Sequence, residues 1–355
     1  MKELRVLVVD DSAFNRKLIA EIITGIPGCT VVGKAANGEE ALKMLGALEP
    51  DLVTLDLEMP GMDGFAFLRF VMARRPTPVI VVSSHSAKQN VFRALELGAL
   101  DFVAKPSPAP GEALTSIKGE LIEKIEMVRQ LHPSRFDHSP RGTVSTLLRT
   151  VSRDDSRPLP LEDIPKRLLV IVSSTGGPSA LVDMMSWFRS DAPLAALIVQ
   201  HMPVRFTRTF AERLDRLGGL RVTEAVDGDR IRAGRALVCP GGQSLEVRRV
   251  PDGLAVAVVP PNPVDRYVPS GNRALRTAAA AAGRRVVAAI LTGMGDDGAE
   301  GIVSVRDGGG VVYAQAPEDA IIDGMPLSAI RSGAVDHSLP LALLSQRIAA
   351  LVSSS

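Results

Sequence analysis

Along the first third of the chain, short runs of β-branched and aliphatic residues alternate with segments whose apolar positions recur at helical spacing. The runs LRVLVVD, CTVVGKA, DLVTLDL, PVIVVSS and DFVAKP predict five strands. Between and after them, AFNRKLIAEII, EEALKMLGAL, FAFLRFVMA, VFRALELG and EALTSIKGELIEKIEMVRQL predict helices. Strands that are apolar at nearly every position are covered on both faces, so this βα alternation predicts a parallel sheet between helical layers over residues 1–131. Residues 132–166 break the rhythm with proline, serine and charge, and are expected to form a flexible linker in which TVSTLLRTV can make a short helix. Over residues 167–355 the alternation resumes with RLLVIVSS, LAALIVQ, ALVCP, a hairpin-like LEVRRVPDGLAVAVV, RRVVAAILTG and GGVVYAQ. The run AAAAAG at 278–283 predicts a helix end closed by glycine. The predicted fold class is therefore α/β, with two doubly wound parallel-sheet domains.

A length of 355 residues agrees with two domains, each large enough to bury a core. With 41 basic and 40 acidic residues, the net charge is +1. No global field therefore favours nucleic acid or an anionic membrane. The two cysteines, Cys29 and Cys239, have no metal-ligand spacing and exclude a disulfide framework, which fits a reducing cytoplasm. No apolar run approaches the ~20 residues needed to span a bilayer. The sequence is thus read as cytoplasmic, with no membrane insertion and no nucleic-acid partner.

Candidate chemistry collects at strand ends. Asp10 and Asp11 end the first predicted strand, Asp56 the third, Ser83 the fourth and Lys105 the fifth. In an open parallel sheet these carboxyl-end positions converge on one crevice. Three carboxylates there call for a hard cation, and Mg²⁺ suits such oxygen ligands. A hydroxyl and a lysine then complete a cage for a phosphoryl group carried by Asp56 as nucleophile. Taken singly, VVDD is equally a strand followed by a helix cap, Lys105 a surface charge and Ser83 a turn residue.

VLVVDDS, DLVTLDLEMPGMDG, PVIVVSS and DFVAKP together resemble the response-regulator receiver family, which has a flavodoxin-like fold. The resemblance implies phosphorylation at Asp56, metal ligation by Asp10, Asp11 and Asp56, and a switch made of Ser83, Phe102 and Lys105. Phe102 stands where tyrosine is commoner in that family.

In the second domain, one predicted strand leads into Ser173-Ser174-Thr175-Gly176-Gly177-Pro178, another ends at His201, and a third leads into Met294-Gly295-Asp296-Asp297-Gly298. A serine, a histidine and an aspartate reaching one sheet edge can supply nucleophile, general base and orienting carboxylate. Gly176 and Gly177 open a helix N-terminus to close approach by substrate, and Pro178 suits its first turn. The chain order Ser, His, Asp differs from the familiar hydrolase orders, and no G-x-S-x-G elbow is present. SSTGGP is equally readable as a helix cap alone, and His201 as a satisfied strand-end histidine. His337 reads as structural, and His85, His132 and His138 as solvated surface. Residues 293–298 also spell G-x-G-x-x-G, but after a late strand and without an acidic strand end ~20 residues on, so the dinucleotide reading is disfavoured.

IVSSTGGPSAL, VQHMP, CPGG, ILTGMGDDGAEG and AQAPEDAIIDGMPLSAI resemble the chemotaxis protein-glutamate methylesterase family, a Rossmann-like hydrolase. The resemblance implies Ser174 as nucleophile, His201 as base, Asp297 as orienting acid, and an oxyanion region lined by Thr175 and the Met294 backbone. It depends on no cofactor in the hydrolase. The departures are Val172-Ser173 where the family usually has Gly-Ala, and Asp296 where asparagine is common. The implied substrate is a methylated chemoreceptor cytoplasmic domain, with glutamine deamidation as a candidate second activity and a chemotaxis-type histidine kinase as phosphodonor. The unphosphorylated receiver is expected to cover the hydrolase crevice until Asp56 is phosphorylated. The alternatives are a response regulator with a non-catalytic or nucleotide-binding output domain, and a DNA-binding one. The latter would call for a basic helical second domain.

Overall fold

The computed structural model describes residues 3–83, 88–105, 113–129, 131, 164–217 and 219–353. The chain divides into two compact units, Met1–Thr146 and Leu147–Ser355. That division falls inside the stretch read as linker, of which residues 132–163, with TVSTLLRTV, His132 and His138, lie outside the described residues. His85 does too.

The first unit holds β1 (Leu4–Val9), α1 (Ala13–Thr24), β2 (Cys29–Ala35), α2 (Gly38–Leu48), β3 (Leu52–Leu55), α3 (Gly64–Arg74), β4 (Val79–Ser83), α4 (Lys88–Glu96), β5 (Asp101–Ala104) and α5 (Ala113–Val128). Its sheet has the order β2-β1-β3-β4-β5, and every pairing is parallel. All residues of β3, β4 and β5 are buried, as expected for strands covered on both faces. Helix starts are fixed locally. Ser12, Asn37 and Asp63 each accept a hydrogen bond from the backbone N–H three residues on, satisfying a donor the helix leaves free.

The second unit contains β6 (Arg167–Ser173), α6 (Gly177–Met185), β7 (Leu194–Gln200), α7 (Thr207–Asp215), β8 (Arg221–Glu224), β9 (Arg235–Val238), β10 (Ser244–Val250) and β11 (Gly253–Val259). It continues with α8 (Gly271–Ala282), β12 (Val286–Ile290), α9 (Gly301–Asp307), β13 (Val311–Gln315), α10 (Gly324–Arg331), β14 (His337–Leu339) and α11 (Leu341–Ser353). Seven strands form a parallel sheet ordered β14-β13-β12-β6-β7-β9-β8, while β10 and β11 pair antiparallel as a separate hairpin. Chain order reverses about β6, whose neighbours are β7 and β12, so the crevice beyond its carboxyl end is a topological switch point. The predicted glycine closure of α8 is present as Gly283, at φ 54°. Two strands were not legible in the sequence, β8 and β14. Both are short, lie at the sheet edges and keep partly exposed residues, so neither carries a continuous apolar run. His337 lies in β14, exposed, with its ring tilted against Tyr313. Among the described residues no helix is long and apolar enough to cross a membrane.

Candidate active site and phosphoryl pocket

In the first unit, β1 and β3 pair in register, so the residues leaving them, Asp10 and Asp56, stand side by side. Ligand oxygens of Asp10, Asp11 and Asp56 all lie within 4.8 Å of one another. Asp10 and Asp56 are buried and Asp11 is exposed. Lys105 Nζ reaches across from the end of β5 to Asp10 Oδ2 at 2.9 Å and to Asp56 Oδ2 at 2.5 Å. Burial pushes the Asp56 carboxyl above the usual range, with Lys105 pulling the other way. Burial works against the charge on Lys105, but its hydrogen bonds to Asp56 and Asp10 outweigh that and hold its ammonium above the ordinary value. Ser83 Oγ is buried and has no hydrogen-bond partner among the described residues. A buried hydroxyl left unpaired costs about 1–3 kcal/mol, which a ligand oxygen would recover. Three clustered carboxylates balanced by one ammonium fit a divalent cation with oxygen ligands. Phe102 is buried in β5, with its ring edge-on to Phe92 and Lys124 Nζ 6.0 Å from its centroid.

In the second unit, strand register assembles the crevice. Ser173 pairs with Gln200 and Val172 with Ile290, so Ser174, His201 and the loop after β12 leave three adjacent strands at one level. Backbone bonds hold that level: His201 N donates to Ser173 O, and Ser174 N to Thr292 O, both at 3.0 Å. Gly176 has φ 76°, a left-handed turn that lets the chain reverse from Ser174 into α6. A Cβ at Gly293 would stand 2.7 Å from Ser174 Cβ, so only glycine lets the turn carrying Met294 pass against the serine.

His201 Nε2 lies 2.8 Å from Asp297 Oδ2. The Asp297 carboxylate also accepts from Gly271 N at 2.6 Å, Asn272 N at 2.9 Å and its neighbour Gly298 N at 3.0 Å. It therefore sits at the N-terminus of α8, where free N–H groups and the helix dipole favour an anion. Asp296 turns outward and pairs with exposed Arg266 at 3.1 Å. Because Asp297 takes Nε2, His201 keeps Nδ1 for a proton from elsewhere.

A family model described as CheB methylesterase matches residues 169–348, and one described as response regulator receiver domain matches residues 6–117. A protein-glutamate methylesterase/protein-glutamine glutaminase of Anaeromyxobacter dehalogenans is 48% identical over 98% of this chain and 95% of its own length. The chain belongs to the CheB methylesterase family. A similarly named protein of Pyrococcus horikoshii is 41% identical over 96% of this chain and 91% of its own. The crystal structure of the Thermotoga maritima CheB methylesterase catalytic domain matches with a TM-score of 0.51 at 33% identity, covering 52% of this chain and 98% of that one.

Of the residues expected from sequence, the structure brings together Asp10, Asp11, Asp56, Ser83 and Lys105 in one pocket, and Ser174, His201, Asp297, Thr175 and Met294 at one crevice. The G-x-G-x-x-G spelling serves this crevice. Gly293 clears Ser174, Gly295 clears Tyr267, and Gly298 packs near Ile290 and Leu275. Sequence reasoning missed Gln200, whose buried amide donates to both Ser174 O and His201 O while its Oε1 accepts from Ser173 Oγ. It also missed Gly271, Asn272 and Tyr267. The helix-start signature Pro269-Ser270-Gly271-Asn272 was a signal for the first two, since Ser270 caps α8. Nothing in the sequence pattern marked Tyr267.

Proposed function

We propose that this chain is a phosphorylation-regulated protein-glutamate methylesterase in which Ser174, His201 and Asp297 hydrolyse glutamate γ-methyl esters on chemoreceptor cytoplasmic domains. The observation that carries the reading is the 2.8 Å His201–Asp297 pair, on the sheet edge that also presents Ser174. Ser174 Oγ attacks the ester carbonyl as His201 Nδ1 takes its proton, and Asp297 holds the ring and balances the imidazolium. Methanol leaves with that proton, and water then hydrolyses the acyl-serine to glutamate. Backbone N–H groups at Thr175 and Met294 are assigned to the developing oxyanion. The same route on a glutamine side chain releases ammonia, the second activity in the relatives' names.

Control enters at Asp56. A chemotaxis-type histidine kinase is the assigned phosphodonor. Asp10, Asp11 and Asp56 would hold Mg²⁺, which when bound offsets the charge gathering on the phosphoryl group. Lys105 pairs with the phosphoryl oxygens, and Ser83 donates its hydroxyl to one of them; Phe102 follows as the aromatic of the switch. These partners imply a cytoplasmic location. The deciding experiment is methanol release from methylated receptor in membranes, with and without acetyl phosphate. Absence of methanol under both conditions would sink the reading.

A further inference from the structure

The base of the crevice is held by a ring that the reaction itself does not use. Tyr267 stacks on His201 with ring centroids 5.4 Å apart and planes within 8°. Its hydroxyl accepts from Asp296 N at 3.3 Å. A Cβ at Gly295 would come within 2.9 Å of Tyr267 Cζ, so the ring also fills the turn that presents Asp297. The ring thus touches the base on one side and the segment carrying its carboxylate on the other. Tyr267 is itself anchored. Arg266 Cζ lies 5.4 Å from the ring centroid, and Arg266 Nη1 reaches Asp296 at 3.1 Å. Beside it, Asp265 pairs at 3.1 Å with Arg273 of α8, which also grips Glu246 on β10 at 2.7 Å.

We infer that Tyr267 is a positioning residue for His201, its ring fixing the imidazole in the plane that meets Asp297 and stabilising the imidazolium formed when Ser174 gives up its proton. An aromatic face attracts a cation in proportion to how dry the site is, and the His201 side chain is only 15% exposed. The ring, rather than the hydroxyl, carries this role, because the ring face is what meets the imidazole, while the hydroxyl bonds to Asp296 N at 3.3 Å and to the Asp296 side chain.

The inference rests on the assignment of Ser174 and His201, so its test avoids the methyl-ester substrate. In the full chain, phosphonylation of Ser174 by a fluorophosphonate is timed by intact mass for wild type, Tyr267→Phe and Tyr267→Leu. Phe should stay within about twofold of wild type, and Leu should be slower by roughly 5- to 30-fold. Equal rates for Leu and wild type, or an equal loss in Phe and Leu, would overturn it. Failure of wild type to react at Ser174 would overturn the triad assignment itself. A second measurement does not depend on the Leu variant folding. A stacked ring shifts the His201 ring protons upfield, which NMR of histidine-labelled wild type reads. The shift should persist in Tyr267→Phe, and its absence from wild type would refute the stacking.

Discussion

The two sites occupy the same place in their folds, the carboxyl edge of a parallel sheet, yet they are in opposite electrostatic conditions. The receiver pocket gathers Asp10, Asp11 and Asp56 around one lysine and buries the Ser83 hydroxyl without a partner among the described residues. Its charge and its hydrogen bonding are both incomplete. In the hydrolase crevice the buried carboxylate of Asp297 already accepts from three backbone N–H groups and from His201. The difference fits the two proposed tasks: unmet demand suits a pocket for a cation and a phosphoryl group, whereas a carboxylate already satisfied within the protein suits a crevice that orients a base.

This contrast is most easily broken at the nucleophile. Ser174→Ala should cut methanol release by on the order of 10⁶-fold. Ser173→Ala should retain most activity, because Ser173 Oγ is buried against Gln200. A dead Ser173 variant beside an active Ser174 variant would place the nucleophile one residue earlier. Next in size is the carboxylate. Asp297→Asn removes the charge that holds His201 and should lower kcat about 10⁴-fold, by analogy with other triads. Asp296→Asn weakens an exposed pair with Arg266 and a side-chain hydrogen bond with Tyr267, and should change kcat less than about threefold, exposed pairs being worth little. Equal losses at both positions would mean that the turn acts as a whole.

Smaller effects are expected on the receiver side. Acetyl phosphate should raise esterase activity by roughly 5- to 150-fold, the usual span of coupling between sites, and Asp56→Asn should abolish that response. A variant that still responds would move the phosphoacceptor elsewhere. A last effect, on stability rather than on activity, concerns Glu120, half-buried on α5. Burial pushes its carboxyl up to about 7, with Lys124 opposing and Asp101 and Glu123 adding to the rise. The folded receiver then keeps a proton that the unfolded chain releases near pH ~4.3. Its stability contribution is full below that pH and is lost as pH rises through about 7, by up to about 3 kcal/mol. Glu120→Gln should flatten this slope, read as hydrogen exchange of receiver amides in the full chain between pH 5 and 8. An unchanged slope would show that Glu120 titrates normally.

Much of this molecule was determined by local sequence. Continuous apolar runs announced the central strands of both sheets, because a strand covered on both faces has no polar side to keep. Catalytic and phosphoryl-binding candidates stood out because they terminate those runs, and a parallel sheet brings strand ends together whatever the loops do. Tertiary structure sets how neighbours of one type are turned. Ser173 and Ser174, like Asp296 and Asp297, are adjacent residues of one type, and only register and the start of α8 turn one inward and the other away. Tyr267 and Gln200 were silent for the same reason. Both act through contacts with residues 26 to 66 positions away, Tyr267 on His201 and Gln200 on Ser174, and such contacts leave no period or spacing in the chain. The edge strands β8 and β14 were hidden because an edge is half solvated, so pairing with a neighbour, rather than an apolar pattern, makes them strands.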